Sequence, residues 1–449
     1  MTAISRGTSG NLLFDMQADI HTQEIPGWAP ELALYNAVQQ RGFSADGKTL
    51  KMSFAQWQPG QRRLSVDMVN QLQGGSTGWL GTSTDKFLQT AAQNVQGQVV
   101  LYDFAGIANS FQYDTILEIL NSSVGQDKSY LRKILVQQLV TFKNNANLIM
   151  CTGKYAQVCA GATFAAAAKT ISIAPGNSVQ NLYVGQLVTY TLTADSTTHI
   201  VTGAPVDNYY GMISAIAEDG NGGYTISYTD YDGSATGQMS TSATTVHLFG
   251  QYGVSPWGLL DFVTADNTVG DLARSGRYNP TVKAAADIAK FVDDPAYGIV
   301  QMAEAIRRNT SGGVKINCVM MSKVTFMWYQ FKYSTRQNFD QAQRAMLTGK
   351  AQAFGFNPIW AVDPDIAIYV VDSIPDGEMY LLDTNNLGFT PLPGNTAPTY
   401  LDMLPGGTGE GLRVHGTMNK ETALVWFYQM YARHLGGFGR IHAINLLNS

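Results

Sequence analysis

The stretch that most constrains this chain is residues 124–151, VGQDKSYLRKILVQQLVTFKNNANLIMC. Leu131, Ile134, Leu135, Leu139, Phe142, Ala146 and Ile149 recur at intervals of three and four, which draws one apolar stripe along a helix. Lys128, Arg132, Lys133, Lys143, Asn144 and Asn145 fall mainly off the stripe. Asp127 suits the helix start and Gly153 the stop. At 1.5 Å per residue the helix is roughly 35–40 Å long, which is long for a globular domain. It reads as a spine whose core side is Leu131, Leu135, Leu139 and Phe142. The residues before it read as an arm, and those after it build the body.

A chain of 449 residues favours two to four domains or subdomains. Charged residues make up 14%, well below the roughly 25% of soluble proteins, while aromatics reach 11%. A monomer of that kind exposes apolar surface, and a large exposed patch marks an interface. The formal net charge of −5 argues against tight wrapping on nucleic acid by phosphate neutralisation. It leaves room for a wall that faces DNA without gripping it. Cys151, Cys159 and Cys318 show no metal spacing, and their odd number gives no disulfide framework. The first residues carry no apolar signal segment, and no apolar run approaches the ~20 residues of a membrane span. The chain reads as soluble and made in a reducing cytosol.

Residues 1–28 have little periodicity and read as an extended arm that partners must order. PELALYNAVQQRG at 30–42 reads as a short helix with Pro in its first turn. Residues 43–115 combine alternating runs with the Gly-, Ser- and Thr-rich LQGGSTGWLGTSTDKFL, a long hairpin with little core of its own. An isolated hairpin is marginal in water and its edges invite pairing. Between 170 and 249 charges thin out, and short alternating strands with a GNGG turn signal predict a small antiparallel barrel or sandwich. VKAAADIAKFV (282–292) and DPAYGIVQMAEAIRRN (294–309) read as helices. VKINCVMM (314–321) reads as a buried strand, with Ser322 capping a helix after it and NFDQAQRAML (338–347) as a further helix. IAIYVVDSI and EMYLLDTNNLGF read as strands around a Pro-Asp-Gly turn, residues 391–411 as a loop, and 423–447 as a long terminal β segment in which Gly436, Gly437 and Gly439 suggest a bulge or bend.

No strong catalytic constellation emerges. GGTGEG (406–411) has glycines without the spacing or the strand–helix context of a phosphate cradle. His434 and His442 stand an even number apart, so in one strand they share a face, but no third ligand is near. Asp363, Asp365 and Asp372 fit turn and strand-end positions. No nucleophile elbow or P-loop occurs. Trp57 with Arg62 and Arg63 reads as an arginine–aromatic interface cluster, since both types favour interfaces. An extended arm, an unsupported hairpin and no catalytic site together argue for an assembly subunit, with no cofactor and no metal.

The order of elements in AYGIVQMAEAIRRNTSGGVKINCVMMSKVTFMWYQF and DIAIYVVDSIPDGEMYLLDTNNLGFTPL resembles the central A domain of tailed-bacteriophage major capsid proteins with the Hong Kong 97 fold. GLLDFV and DLARSGRYNP (258–280) look like the lead-in to that domain in capsid proteins with a β insertion, and ALVWFYQMYARH looks like the return into the peripheral (P) domain. The resemblance implies an α+β fold with seven segments in chain order. An N-terminal arm is 1–42, and an extended E-loop with the first P-domain strands is 43–115. The P domain with the spine helix is 116–165, an inserted β-barrel-like domain 166–250, and a connector 251–282. The A domain is 283–419, and the last P-domain strand 420–449.

The resemblance also implies hexamers and pentamers of an icosahedral shell around double-stranded DNA, held without sequence-specific binding. Portal, scaffolding and decoration proteins would be partners, no membrane is involved, and the virion, assembled in the host cytoplasm, is the location. Inter-subunit contacts are expected at Trp57, Arg62, Arg63 and Trp79 in the E-loop and at Pro393, Pro398 and Pro405 in the capsomer-centre loop. Lys48 and Lys51 lie in the E-loop, but nothing predicts the covalent cross-link that some relatives make. The alternatives are an encapsulin-like compartment shell and a virion surface protein that binds carbohydrate through the β insertion.

Overall fold

The computed structural model describes residues 39–40, 49–55, 97–103, 105–114, 128–165, 168–174, 177–192, 210–220, 222–230, 243–248, 253, 255–270, 272–274, 276–310, 313–334, 366–392, 397–401, 412–413 and 419–446. The spine is α1, Lys128–Thr152. Leu135, Leu139, Phe142, Ala146 and Ile149 are buried along one side of it, while Val140 is exposed on the other. The side chain of Leu131 lies outside the described residues. Gly153 ends the helix in the left-handed region (φ +76°), its N–H donating to the carbonyl of Ile149 at 2.7 Å.

Among the described residues, four strands come before the spine: β1 (Gln39–Gln40), β2 (Thr49–Ala55), β3 (Gly97–Asp103) and β4 (Ala105–Asp114). Directly after it the described residues hold β5 (Gln157–Ala160), β6 (Ala162–Ala165), β7 (Thr170–Ile173), β8 (Leu187–Leu192), β9 (Tyr210–Glu218), β10 (Tyr224–Asp230) and β11 (Ala243–Leu248), seven strands up to residue 248. These seven make one antiparallel sheet in the order β5-β11-β8-β9-β10-β7-β6. Its first and last strands are separated in sequence by Gly161 alone (φ +66°). Residues that close in sequence cannot stand at opposite ends of a flat sheet, so the sheet curls until its edges meet at that corner. The inward side chains of Val158, Phe164, Ile171, Val188, Ile213, Ile226 and Val246 form its own core, to which α1 adds Leu148. The sheet begins at Gln157, nine residues earlier than the expected start at 166.

The body begins with α2 (Leu259–Val263), the small hairpin β12 (Thr268–Val269) and β13 (Leu272–Ala273), and β14 (Thr281–Ala284). Then come α3 (Pro295–Asn309), β15 (Cys318–Met321), α4 (Lys323–Ser334), β16 (Ala367–Val370) and β17 (Met379–Leu382). The chain closes with β18 (Leu387–Pro391), β19 (Thr399–Tyr400), β20 (Leu412–Arg413), β21 (Asn419–Ala432) and β22 (Gly439–His442). A mixed sheet runs β14-β22-β17-β15-β16. Every residue of β15 is buried, because both faces of its sheet are covered. Val319 and Met321 face the core made with α3 and α4, and Cys318 and Met320 face the core shared with the spine.

The third sheet is organised on β21. One edge pairs with β4 over ten residues, from Asn419 with Asp114 to Tyr428 with Ala105. The other edge carries β20, β19 and β18 in turn, and β18 carries β1. Leu424, Trp426, Tyr428 and Met430 belong to the spine core, with the rings of Trp426 and Tyr428 4.6 Å apart and Phe389 5.0 Å from Tyr428. On the alternate positions, Phe427 lies over its cross-strand partner Gly106 and Tyr431 over Gly388. A Cβ at Gly388 would stand 2.1 Å from the Tyr431 ring, so the strands meet there only because one partner has no side chain.

Several expectations need correction. Residues 282–292 are not a helix: β14 is claimed by parallel pairing with β22, and a 3-10 turn comes next at Ala285–Asp287. The 420–449 segment is two strands, divided at the glycines that suggest a bend. After Ala432 the chain turns, with Gly437 packed against Asn386 and Val314, and β22 enters the mixed sheet. The expected 283–419 unit is divided, because β18, β19 and β20 join β21 rather than β17. The strands around the Pro-Asp-Gly turn do not pair with each other; β15 lies between them. The expected 391–411 loop contains β19, and Gln39–Gln40 is a strand rather than a helix end. The expected helix at 338–347 lies outside the described residues.

Candidate assembly surfaces and the joints behind them

β2 and β3 pair in register from Thr49 with Asp103 to Ala55 with Gly97 and form a two-stranded ribbon of their own. One residue separates β3 from β4, so the ribbon runs directly out of the strand locked to β21. Its root is fixed, and among the described residues no third strand pairs with it.

A second surface is α4. Thr325, Phe326, Trp328 and Tyr329 face the interior, while Val324, Met327 and Phe331 are exposed at helical spacing. The helix is therefore apolar nearly all round, and Met327 is 60% exposed. Tyr183, Val184 and Met212 are exposed together on the barrel, where the N–H of Gly185 bonds to the carbonyl of Ile213 and Leu187 pairs with Met212.

Of the expected contact residues, Trp57, Arg62, Arg63, Trp79, Pro393 and Pro405 lie outside the described residues. Pro398 is buried within its own subunit, contrary to expectation: it leads into β19, which docks on β21, and Ala397 beside it packs on the spine core.

Behind these surfaces are polar joints that sequence reading missed. At the end of the spine, Gly258 and Gly153 approach so closely that a Cβ on Gly258 would lie 2.5 Å from Gly153 Cα. Asp261 Oδ2 accepts from the N–H of Lys154 at 2.7 Å and of Gly258 at 3.0 Å, tying the helix end to the start of α2. Burial pushes the Asp261 carboxyl up to about 6, against the pull of those N–H groups and of Arg274 and Lys154. The Lys154 ammonium lies 4.4 Å from the Trp257 ring centre. Arg274, itself buried, donates to the carbonyls of Asp261 at 2.6 Å and Phe262 at 2.9 Å and to Asn267 Oδ1 at 2.7 Å, closing the far end of α2. In the mixed sheet, Arg440 Nε donates to Glu378 at 3.0 Å, and the Tyr380 hydroxyl donates to the same carboxylate at 2.8 Å. Glycine spacing and a lone aspartate gave no signal of these joints.

The weaker chemical candidates separate. His434 comes just after β21 and His442 ends β22, so they do not share a strand. His247 is buried in the barrel, with Nδ1 2.8 Å from the carbonyl oxygen of Tyr155 and Nε2 2.9 Å from Thr245, and burial lowers it to about 4. The three cysteines are buried, and burial pushes the thiols of Cys151 and Cys159 up to about 12, which leaves them inert as nucleophiles. Asp372 is exposed on a turn, while Asp363, Asp365 and the 406–411 loop lie outside the described residues. Among the described residues no group of His, Cys, Asp or Glu could hold a metal, and no helix is long and apolar enough to cross a membrane.

No protein-family model matches the chain, and no curated protein does. Solved structures do. The chain is similar to tailed-phage capsid structures. One is described as the "Cyanophage A-1(L) capsid asymmetric unit", at 13% identity, 93% coverage of each chain and a TM-score of 0.43. Another is "Mycobacterium phage Ogopogo", at 9% identity, 91% coverage of each chain and a TM-score of 0.41. A third is "The capsid of Myoviridae Phage XM1", at 8% identity, covering 91% of this chain and 90% of that one, with a TM-score of 0.39.

Proposed function

We propose that this chain is a major capsid protein with the Hong Kong 97 fold, which assembles with copies of itself into the hexamers and pentamers of an icosahedral shell around double-stranded DNA. The observation that carries the reading is the β2–β3 ribbon: it is rooted in the central sheet, yet no third strand pairs with it among the described residues. Two strands alone are marginal in water, so such a ribbon is stable when laid on another surface. A neighbouring copy supplies that surface to every subunit at once, and many modest contacts then act together. The exposed stripe of α4 is a further apolar surface for such a neighbour to cover.

In this reading residues 1–42 are the arm and 43–115 the E-loop and its root, with Trp57, Arg62, Arg63 and Trp79 meeting the neighbouring subunit. The A-domain loop bearing Pro393 and Pro405 lies at the capsomer centre, and the barrel is an insertion on the shell. A net charge of −5 suits a wall that holds packed DNA without gripping it. Portal, scaffolding and decoration proteins complete the particle, which is assembled in the host cytoplasm.

Deleting 48–66, which removes β2, tests this. The variant is expected to remain a folded, soluble subunit that forms no shells by negative-stain microscopy, while the intact chain forms them. Shells of ordinary size from the variant would overturn the role of the ribbon.

A further inference from the structure

The turn between β16 and β17 is held from three sides. From the barrel, Asn181 Nδ2 donates to the carbonyl of Ser373 at 2.9 Å, Gln180 Nε2 donates to the carbonyl of Asp372, and Ser178 Oγ stands 3.5 Å from Asp376 Oδ2. From the spine, Asn147 Nδ2 donates to Ser373 Oγ at 3.1 Å. From α4, Ser322 Oγ donates to Asp376 Oδ1, and the N–H of Gly377 donates to Thr325 Oγ1 at 2.9 Å. Ser322 is also the cap of α4, accepting from the N–H of Thr325 at 3.2 Å.

We infer that this turn, residues 372–377, is a polar clasp that couples the barrel to the end of the spine and to the start of α4, so that a displacement of the barrel is transmitted to both. Most of the barrel's buried apolar side chains face a core that Leu148 of the spine joins, and the barrel reaches the turn through polar side chains at 178–181. Bonds of this kind exchange for water at small net cost where they are exposed, as at Gln180. Asn181 and Ser373 are 8% and 9% exposed, so an opening that does not admit water leaves their polar atoms unmatched. The clasp is therefore closed or open, with little in between. Ser373 is the shared point: its carbonyl holds the barrel and its hydroxyl holds the spine. The cap hydroxyl of α4 is shared in the same way between the helix start and Asp376.

The test is hydrogen exchange on the unassembled full chain, so it stands or falls independently of the shell. Ser178→Ala with Asn181→Ala is expected to speed exchange about tenfold in the barrel, in residues 144–152 and in 322–327, while α3 stays protected. Ser373→Ala keeps the carbonyl that Asn181 uses but removes the link to the spine. In its presence the barrel variants are expected to leave 144–152 at the Ser373→Ala rate, a non-additive result. Faster exchange confined to the barrel, additive effects at 144–152, or loss of protection in α3 as well would overturn the clasp.

Discussion

Asp261 offers a quantitative test of the joint between the spine and the body. It is 3% exposed and accepts two backbone N–H bonds through one oxygen. Its folded-state value of about 6 lies above the ordinary 3.8, because burial outweighs the neighbouring donors and cations. Between about pH 4 and 6 the folded chain keeps a proton there that the unfolded chain has released. Stability from this group is thus fully present below about pH 4 and is lost as pH rises through about 6. A shift of roughly two units corresponds to about 3 kcal/mol at 1.36 kcal/mol per unit. Asp261→Asn preserves an oxygen for both N–H bonds and never ionises. Urea unfolding of the unassembled chain and the variant should give equal stabilities near pH 4. The variant should gain up to about 3 kcal/mol relative to the parent by pH 7.5. Taking the difference between the two chains cancels the other carboxylates. A pH-independent difference, or a variant that weakens as pH rises, would mean that Arg274 and the N–H donors hold Asp261 ionised and that the burial argument is wrong.

Gly258→Ala would place a methyl 2.6 Å from Gly153 N and 2.7 Å from Met150 O, backbone atoms that cannot swing aside. A loss of about 1–3 kcal/mol in denaturant unfolding is expected, and a neutral result would show that the two segments can separate freely. Leu139→Asp puts a carboxylate into the spine core at a site 3% exposed, with an expected loss above about 4 kcal/mol. A soluble variant with unchanged melting would mean that the apolar stripe is placed on the wrong side of α1.

The physics read from local pattern held where one short-range rule decides the outcome. Three-and-four spacing makes a helix of Lys128–Thr152, and Gly153 stops it because a left-handed residue is needed there. An unbroken apolar run makes Cys318–Met321 a strand buried on both faces, and Ser322 caps the helix after it. Alternation with Gly turns makes the short strands between 170 and 248. The α+β character comes from these elements together.

What local pattern could not decide is partner choice. Residues 282–292 have the Ala-rich composition of a helix, but the β-branched Thr281 and Val282 at its start pair in parallel with β22, and the strand takes the chain as far as Ala284. The terminal segment reads as β with glycines that suggest a bend, but its order does not say that the chain leaves the sheet of β21 after Ala432 and enters the mixed sheet at Gly439, with Gly437 packed against Asn386 and Val314 between them. Pro398 looked like a loop residue and is buried, because the strand after it has an edge of β21 to fill. Asp261, Arg274 and the 372–377 turn join residues up to 226 positions apart, a separation that no local pattern in the chain encodes. Helices and strands answer to the period of the side chains, which the amino-acid order contains. The joints answer to which surfaces meet, which only the closed chain supplies.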